Sequence, residues 1–162
     1  MFDVFGEFDS AEEINKAAAG QKSQGDNEAI RQLAMENGID AEDAEDYISG
    51  AVEELCNPLM AAFGKIDLEA EELKAQEIFE DWINYIRTEC TQNENMAAAV
   101  RKKGKSVKKC IAELLKWSFK NMYAVDKDIV EAAGVKTQVK MGIPGMAHAR
   151  EIITKYYLDI KG

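Results

Sequence analysis

One histidine, two prolines and three cysteines stand among the 162 residues. With a single histidine there is no Cys–His or Ser–His–Asp set to assemble around more than His148, and no Gly-x-Ser-x-Gly occurs. Gly104-Lys105-Ser106 has the last three letters of a phosphate-binding loop, but the glycine required five positions earlier is Ala99. Carboxylate pairs such as Glu80 and Asp81 fall on a helix face that reads as open. The chain therefore reads as no enzyme, with no cofactor. Cys56, Cys90 and Cys110 are odd in number, widely spaced and without Cys-x-x-Cys, which excludes a disulfide framework and a zinc knuckle and leaves three small apolar side chains. No apolar run approaches the roughly 18–20 residues that span a bilayer, and Met1 to Gly6 has neither a basic nor an apolar signal region, so a cytoplasmic protein with no membrane partner is expected.

Few turn formers and 46% apolar residues indicate a helical globule, and an all-α bundle of about seven to eight helices follows from the periodicity. Ser10 with Glu13 makes a capping box for a helix over 11–19 that stops at Gly20. Asp26 caps a second helix carrying Ile30, Leu33 and Ala34 inward to Asn37-Gly38, and Asp40 caps a third. On that third helix Ala41, Ala44, Ile48, Ala51, Val52 and Leu55 share one side and Glu42, Asp43, Glu45, Asp46 and Glu53 the other. Asn57-Pro58 breaks the path before a short turn ending at Gly64. A long helix over 68–90 then carries Phe79, Trp82, Ile83, Ile86 and Cys90 inward, and a short one over 96–103 stops at Gly104. From Ser106 to Tyr123 a strongly amphipathic helix buries Val107, Cys110, Ile111, Leu114, Leu115 and Met122. Asp126 caps a short helix to Gly134, residues 135–141 alternate like a strand without a partner, and Pro144 opens the last helix. Both Trp82 and Trp117 are expected in the core. A soft boundary near Gly64-Lys65 separates an acidic helical lobe, 1–64, from a larger one, 65–162, with a basic C-terminal part.

The net charge of −10 conceals a division: residues 1–96 hold 24 acids and 6 bases, residues 97–162 hold 6 acids and 14 bases. Residues 29–48 have the layout of a helix-turn-helix, but its second helix begins with Glu42, Asp43, Glu45 and Asp46, which phosphates repel. The two readings of this segment are a hairpin with a solvated acidic face and a surface that imitates DNA, Glu42, Asp43, Glu45, Asp46 and Glu53 being its partner-binding residues. Calcium is excluded by loop spacing, since the sixth position from Asp40 is Glu45 and not glycine, and no other metal set is present. Arg101, Lys102, Lys103, Lys105, Lys109, Lys116 and Lys120 are the candidates for nucleic-acid contact, against a solvated face or an internal counterpart to the acidic lobe as the plain readings. Gly142-Ile143-Pro144-Gly145-Met146-Ala147 is similar to the second half of a helix-hairpin-helix, with Ala147 where a second glycine belongs.

From Asn95 to Leu158, one wider pattern stands out. Ala99 to Val107 (AVRKKGKSV), then Cys110-Ile111, then an acid-capped short helix, then Gly145-Met146-Ala147-His148 leading to Tyr156-Tyr157-Leu158-Asp159, resembles the PcfK-like accessory proteins of conjugative elements. The likeness covers about 65 residues, with residues 135–143 inserted and a long acidic half added in front. Cas9-inhibiting anti-CRISPR proteins have come from that family and its neighbourhood. The resemblance therefore implies a mobile-element protein that disarms a nuclease, and it carries over no catalytic residue. The expectations are an inhibitor whose acidic helix occupies a basic channel of a Cas9-type nuclease or its guide complex, a conjugation accessory protein binding DNA through its basic part, or an interaction module with no nucleic-acid role.

Overall fold

A computed structural model describes residues 4–160. Among them are nine helices and one two-stranded ribbon, so the fold is all-α. They are α1 (Ala11–Ser23), α2 (Asn27–Glu36), α3 (Ala41–Ser49), α4 (Pro58–Leu73), α5 (Ile78–Gln92), α6 (Glu94–Arg101), α7 (Val107–Lys120), α8 (Lys127–Ala132) and α9 (Met146–Leu158). The chain forms two compact units, Met1–Lys108 and Lys109–Gly162. The boundary expected at Gly64-Lys65 falls in the middle of α4, where both residues are buried.

In the first unit the first two predicted caps make their bonds, whereas Asp40 stands at the N-cap of α3 without a side-chain bond. The Ser10 hydroxyl accepts the Glu13 amide (3.2 Å) while the Glu13 carboxylate reaches back to the Asp9 amide (2.7 Å), and Asp26 accepts the Ala29 amide (3.0 Å). With the starts of α1 and α2 thus supported, Ile14, Ala18, Ile30, Leu33 and Ala34 face a common core with Ala44, Tyr47, Leu55 and Ala61. Gly20 does not stop α1, which runs on to Ser23.

The larger departure is in the centre. Instead of a turn ending at Gly64 and a helix over 68–90, Asn57 caps a helix with Pro58 in its first turn that passes straight through Gly64 and Asp67 and ends at Lys74, in the left-handed region. The chain restarts at α5. Gly64 sits mid-helix because α4 crosses the α2–α3 turn there: a Cβ on Gly64 would overlap the Asn37 carbonyl oxygen, and one on Gly38 would lie 2.6 Å from the Gly64 Cα. This glycine is an approach point between backbones, not a terminator. α4, α5 and α6 then pack on one another, closing Ile66, Trp82, Ile83, Ile86, Cys90, Met96 and Val100 from solvent, whereas Phe79, expected inward, stays exposed and stacks on the Trp82 ring (5.6 Å).

The second unit continues α7 into the ribbon β1 (Tyr123–Ala124) and β2 (Lys140–Met141), with α8 between the strands and α9 after them. Only the end of the strand-like 135–141 segment is a strand, and it has a partner, since Tyr123 pairs with Met141 and Ala124 with Lys140, antiparallel. Cys110, Leu114, Ala149, Ile153 and Tyr157 are buried. Leu115 and Met122, expected inside, are about half exposed. Trp117 is only half-buried, its ring 5.0 Å from that of His148, whereas Trp82 is buried as expected.

Candidate functional site

Two sets of charged residues were expected to act outward, and the fold treats them differently. On α3, Glu42 and Asp46 are exposed one turn apart on the same side, with Asp43 half-buried beside them. Among the described residues these three carboxylates form no ion pair. Glu45 does: Arg31 of α2 grips it through Nε (2.6 Å) and Nη2 (3.3 Å), while its Nη1 reaches Glu28 (3.1 Å). The hydrogen bond from Arg31 holds the Glu45 carboxyl below its ordinary range, and the two carboxylates raise Arg31 in turn. Glu45 is therefore part of a hairpin clasp and not of the free face.

Glu53 is not on α3. The helix ends at Gly50, whose φ of 84° lets the Ala51 amide fold back to the Asp46 carbonyl (2.9 Å), and Ala51 and Val52 are exposed. The apolar period that extended the sequence reading to Leu55 is continued by a non-helical segment. Asn15 secures that segment, donating to the Cys56 carbonyl (2.8 Å) and accepting the Cys56 amide (3.1 Å). Glu53 and Glu54 consequently line a cleft of about 430 Å³ along α1, opposite Glu12, Asn15 and Lys16, over a floor that includes Ala11 and Tyr47. The Tyr47 ring is covered by Lys22, whose Nζ lies 4.4 Å from its centroid.

The basic set loses its first member. Arg101 is 1% exposed, and its guanidinium donates to Asn37 Oδ1 (2.6 Å), the Ala61 carbonyl (3.3 Å) and the Phe8 carbonyl (3.3 Å). It ties α6 to α4, to the residue that ends α2 and to the segment before α1, and is closed to phosphate. Beside it Lys65, equally buried, donates to the carbonyls of Lys102 and Lys105 (2.8 Å each) just past the C-terminus of α6, where a cation also meets the negative end of the helix dipole. Glu7 pairs with Lys65 at 3.3 Å. Burial pushes the Lys65 and Arg101 pKa values down and that of Glu69 up. Glu69 accepts the Val107 amide at the start of α7 (2.8 Å), so the amide that follows Gly104-Lys105-Ser106 is already committed to a carboxylate.

Lys102 and Lys103 are exposed and Lys105 is half-buried. In the second unit Lys109, Lys116 and Lys120 are exposed on α7, with Lys116 paired to Glu113 (2.7 Å). The Gly142 segment, similar to a phosphate-holding turn, has another role: a Cβ there would lie 2.6 Å from the Ser118 carbonyl oxygen, so the glycine lets this loop pack on α7. α9 begins after Gly145 with no side-chain cap.

Sequence reasoning missed Lys65, Asn37, Asn15 and Glu69. A lysine inside the apolar stretch Met60 to Ile66 was the one available signal, because such a lysine must find acceptors when its helix is buried. His148 is exposed, Cys110 is fully buried, and Glu80 and Asp81 lie exposed in the first turn of α5, where their charge complements the helix dipole. Among the described residues no group of three or more His, Cys, Asp or Glu side chains is placed to hold a metal ion, and no helix is long and apolar enough to cross a membrane. All three cysteines are buried, and burial raises Cys56 to about 11 and Cys90 to about 12. Alkylation by iodoacetamide at pH 8 should accordingly be slow until denaturant is added; rapid native modification of Cys56 or Cys90 would contradict this packing.

Compared with protein-family models, curated proteins and solved structures, the chain gives no match in any of the three.

Proposed function

We propose that the protein is a cytoplasmic binding protein of the anti-CRISPR type. It has no catalytic activity of its own and inhibits a Cas9-type nuclease by laying an acidic face on the basic channel that holds nucleic acid. The observation that supports this reading is the uncompensated outer face of α3. The first unit carries 24 acids and 11 bases, a net of −13, and two of those bases, Lys65 and Arg101, are spent in its interior. Glu42 and Asp46 nevertheless stand on the surface without a cation, although Arg31 was available and goes to Glu45. Like charges one turn apart weaken a helix slightly, so their presence is better explained by an external cation than by folding. A channel built to hold a nucleic-acid backbone supplies such cations, and attraction at long range speeds the encounter.

Glu42→Lys with Asp46→Lys tests the reading. Both side chains are exposed, so helix content and melting temperature should stay within error of the parent, while inhibition of a purified Cas9-type nuclease should weaken at least tenfold and respond less steeply to salt. Glu45 is left unchanged in this variant because its reversal would also open the clasp with Arg31. Undiminished inhibition by the double reversal sinks the acidic-face mechanism.

The exposed Lys109, Lys116 and Lys120 favour a second reading, a conjugation accessory protein that holds DNA through the second unit, although that unit's 9 bases and 6 acids leave a net of only +3. Retention of the whole protein on duplex DNA at low salt, lost on reversing the three lysines, would favour it. Binding to neither nuclease nor DNA would leave an interaction module without a nucleic-acid role.

A further inference from the structure

The second unit leaves an apolar face open. Leu115 and Phe119 lie one turn apart on α7, and Met122 follows at the helix end. Tyr123 is paired across the ribbon with Met141, and the next residue, Gly142, packs against the Met122 side chain, with Ile143 following it. Phe119 is 71% exposed, Tyr123 59%, and the other four about half. Leu115, Phe119 and Met122 thus follow one side of α7, and Tyr123, Met141 and Ile143 follow in the ribbon and the loop that leave it, six exposed aliphatic, aromatic and thioether side chains in one strip of the chain's second unit. Soluble monomers seldom expose so much apolar surface in one place without a use for it.

We propose that this strip is the contact between two copies of the chain, arranged as a symmetric dimer through their second units. Area supports a second copy. An aromatic side chain covers roughly 150–250 Å², so six large side chains at about half exposure offer on the order of 500 Å² per copy. Two copies bury on the order of 1,000 Å², the lower threshold for a specific interface. Charge supports it as well. The first unit, at −13, repels its own copy by any of its acidic faces, whereas the second, at +3, is far closer to neutral. At physiological ionic strength repulsion fades beyond about 8 Å, so the near-neutral face is the one by which two copies of an acidic chain can meet. The strip is also self-complementary in chemistry, and methionine adapts its shape to whatever side chain it meets. This inference does not rest on the nuclease reading.

Sedimentation equilibrium of the whole protein at tens of micromolar should return twice the 18.0 kDa chain mass, and added salt should leave the dimer intact or tighten it. Phe119→Asp should weaken dimerisation at least a hundredfold with unchanged circular dichroism, because the side chain it replaces is solvent-exposed in the single chain. Tyr123→Lys provides an independent second variant, with the same loss expected. Glu42→Lys with Asp46→Lys should leave the dimer in place, which separates this proposal from the acidic-face mechanism. A monomer at every concentration overturns it. So does a dimer indifferent to both strip variants, or one that dissociates as salt rises, which would mark a contact between the acidic unit of one copy and lysines of the other. A monomer that instead binds vesicles of anionic lipid through Phe119 would assign the strip to a membrane and equally overturn it.

Discussion

Arg101→Met is expected to destabilise the first unit by about 3–5 kcal/mol, seen as a large fall in the urea midpoint followed by circular dichroism. The methionine fills much of the same volume, so the loss is electrostatic in origin. Three oxygens, Asn37 Oδ1 and the carbonyls of Ala61 and Phe8, lose their donor at once. Each buried acceptor left unsatisfied costs about 1–3 kcal/mol, and partial relaxation or water entry offsets part of the sum. Asn37 itself is fully buried and donates to the Leu33 carbonyl (2.8 Å), so it cannot swing out to find water without giving up a second bond. Since whole domains are stable by only about 5–15 kcal/mol, the variant should sit near the edge of folding at 37 °C. Arg101→Lys keeps the charge but supplies a single ammonium in place of a three-way fork, and should fall between the parent and the methionine variant. A change below about 1 kcal/mol for Arg101→Met would show that the guanidinium is not what joins these helices.

Gly64→Ala reverses the sign that helix propensity assigns. Mid-helix glycine is worse than alanine by about 1 kcal/mol, so propensity alone makes the substitution stabilising. The tertiary contact makes it destabilising, because the new methyl would occupy the position of the Asn37 carbonyl oxygen and stand 3.0 Å from the carbonyl carbon and oxygen of Gly38. Those are backbone atoms in a turn whose preceding residue is held by Arg101, so the neighbour cannot give way cheaply. A loss of about 1–3 kcal/mol or more is expected from overpacking of this kind. Gly38→Ala should be worse: it meets the Gly64 backbone from the other side and also forces alanine to a φ of 68°, which adds about 1–2 kcal/mol. Thermal melts of the two variants distinguish the alternatives, since stabilisation of Gly64→Ala would mean that α4 and the α2–α3 turn do not approach as closely as described.

Helices whose ends carry their own signals could be read directly. Ser10 with Glu13, and Asp26 with Ala29, act within four residues of one another, so the pattern of residue types determines the bond without reference to the rest of the chain. The burial of Ile30, Leu33, Trp82, Ile86 and Leu114 follows the same local logic, because period alone puts them on one side. Of the acidic surface, the exposure of Glu42 and Asp46 was visible in this way. The fate of Glu45 was not, since its partner Arg31 lies on another helix.

What the sequence by itself determined is the all-helical class, the caps of α1 and α2, most of the inward faces and the concentration of acids in the first 96 residues, all of which depend on neighbours within a turn or two. Tertiary structure alone decided three things. It turned Gly64 from a stop into a crossing point, because a glycine's meaning depends on which backbone approaches it. It took Arg101 and Lys65 out of the basic surface and made them internal hydrogen-bond donors, because burial is set by what packs over a residue and not by its charge. And it left Leu115 and Met122 outside, because an apolar face is buried only where another element arrives to cover it.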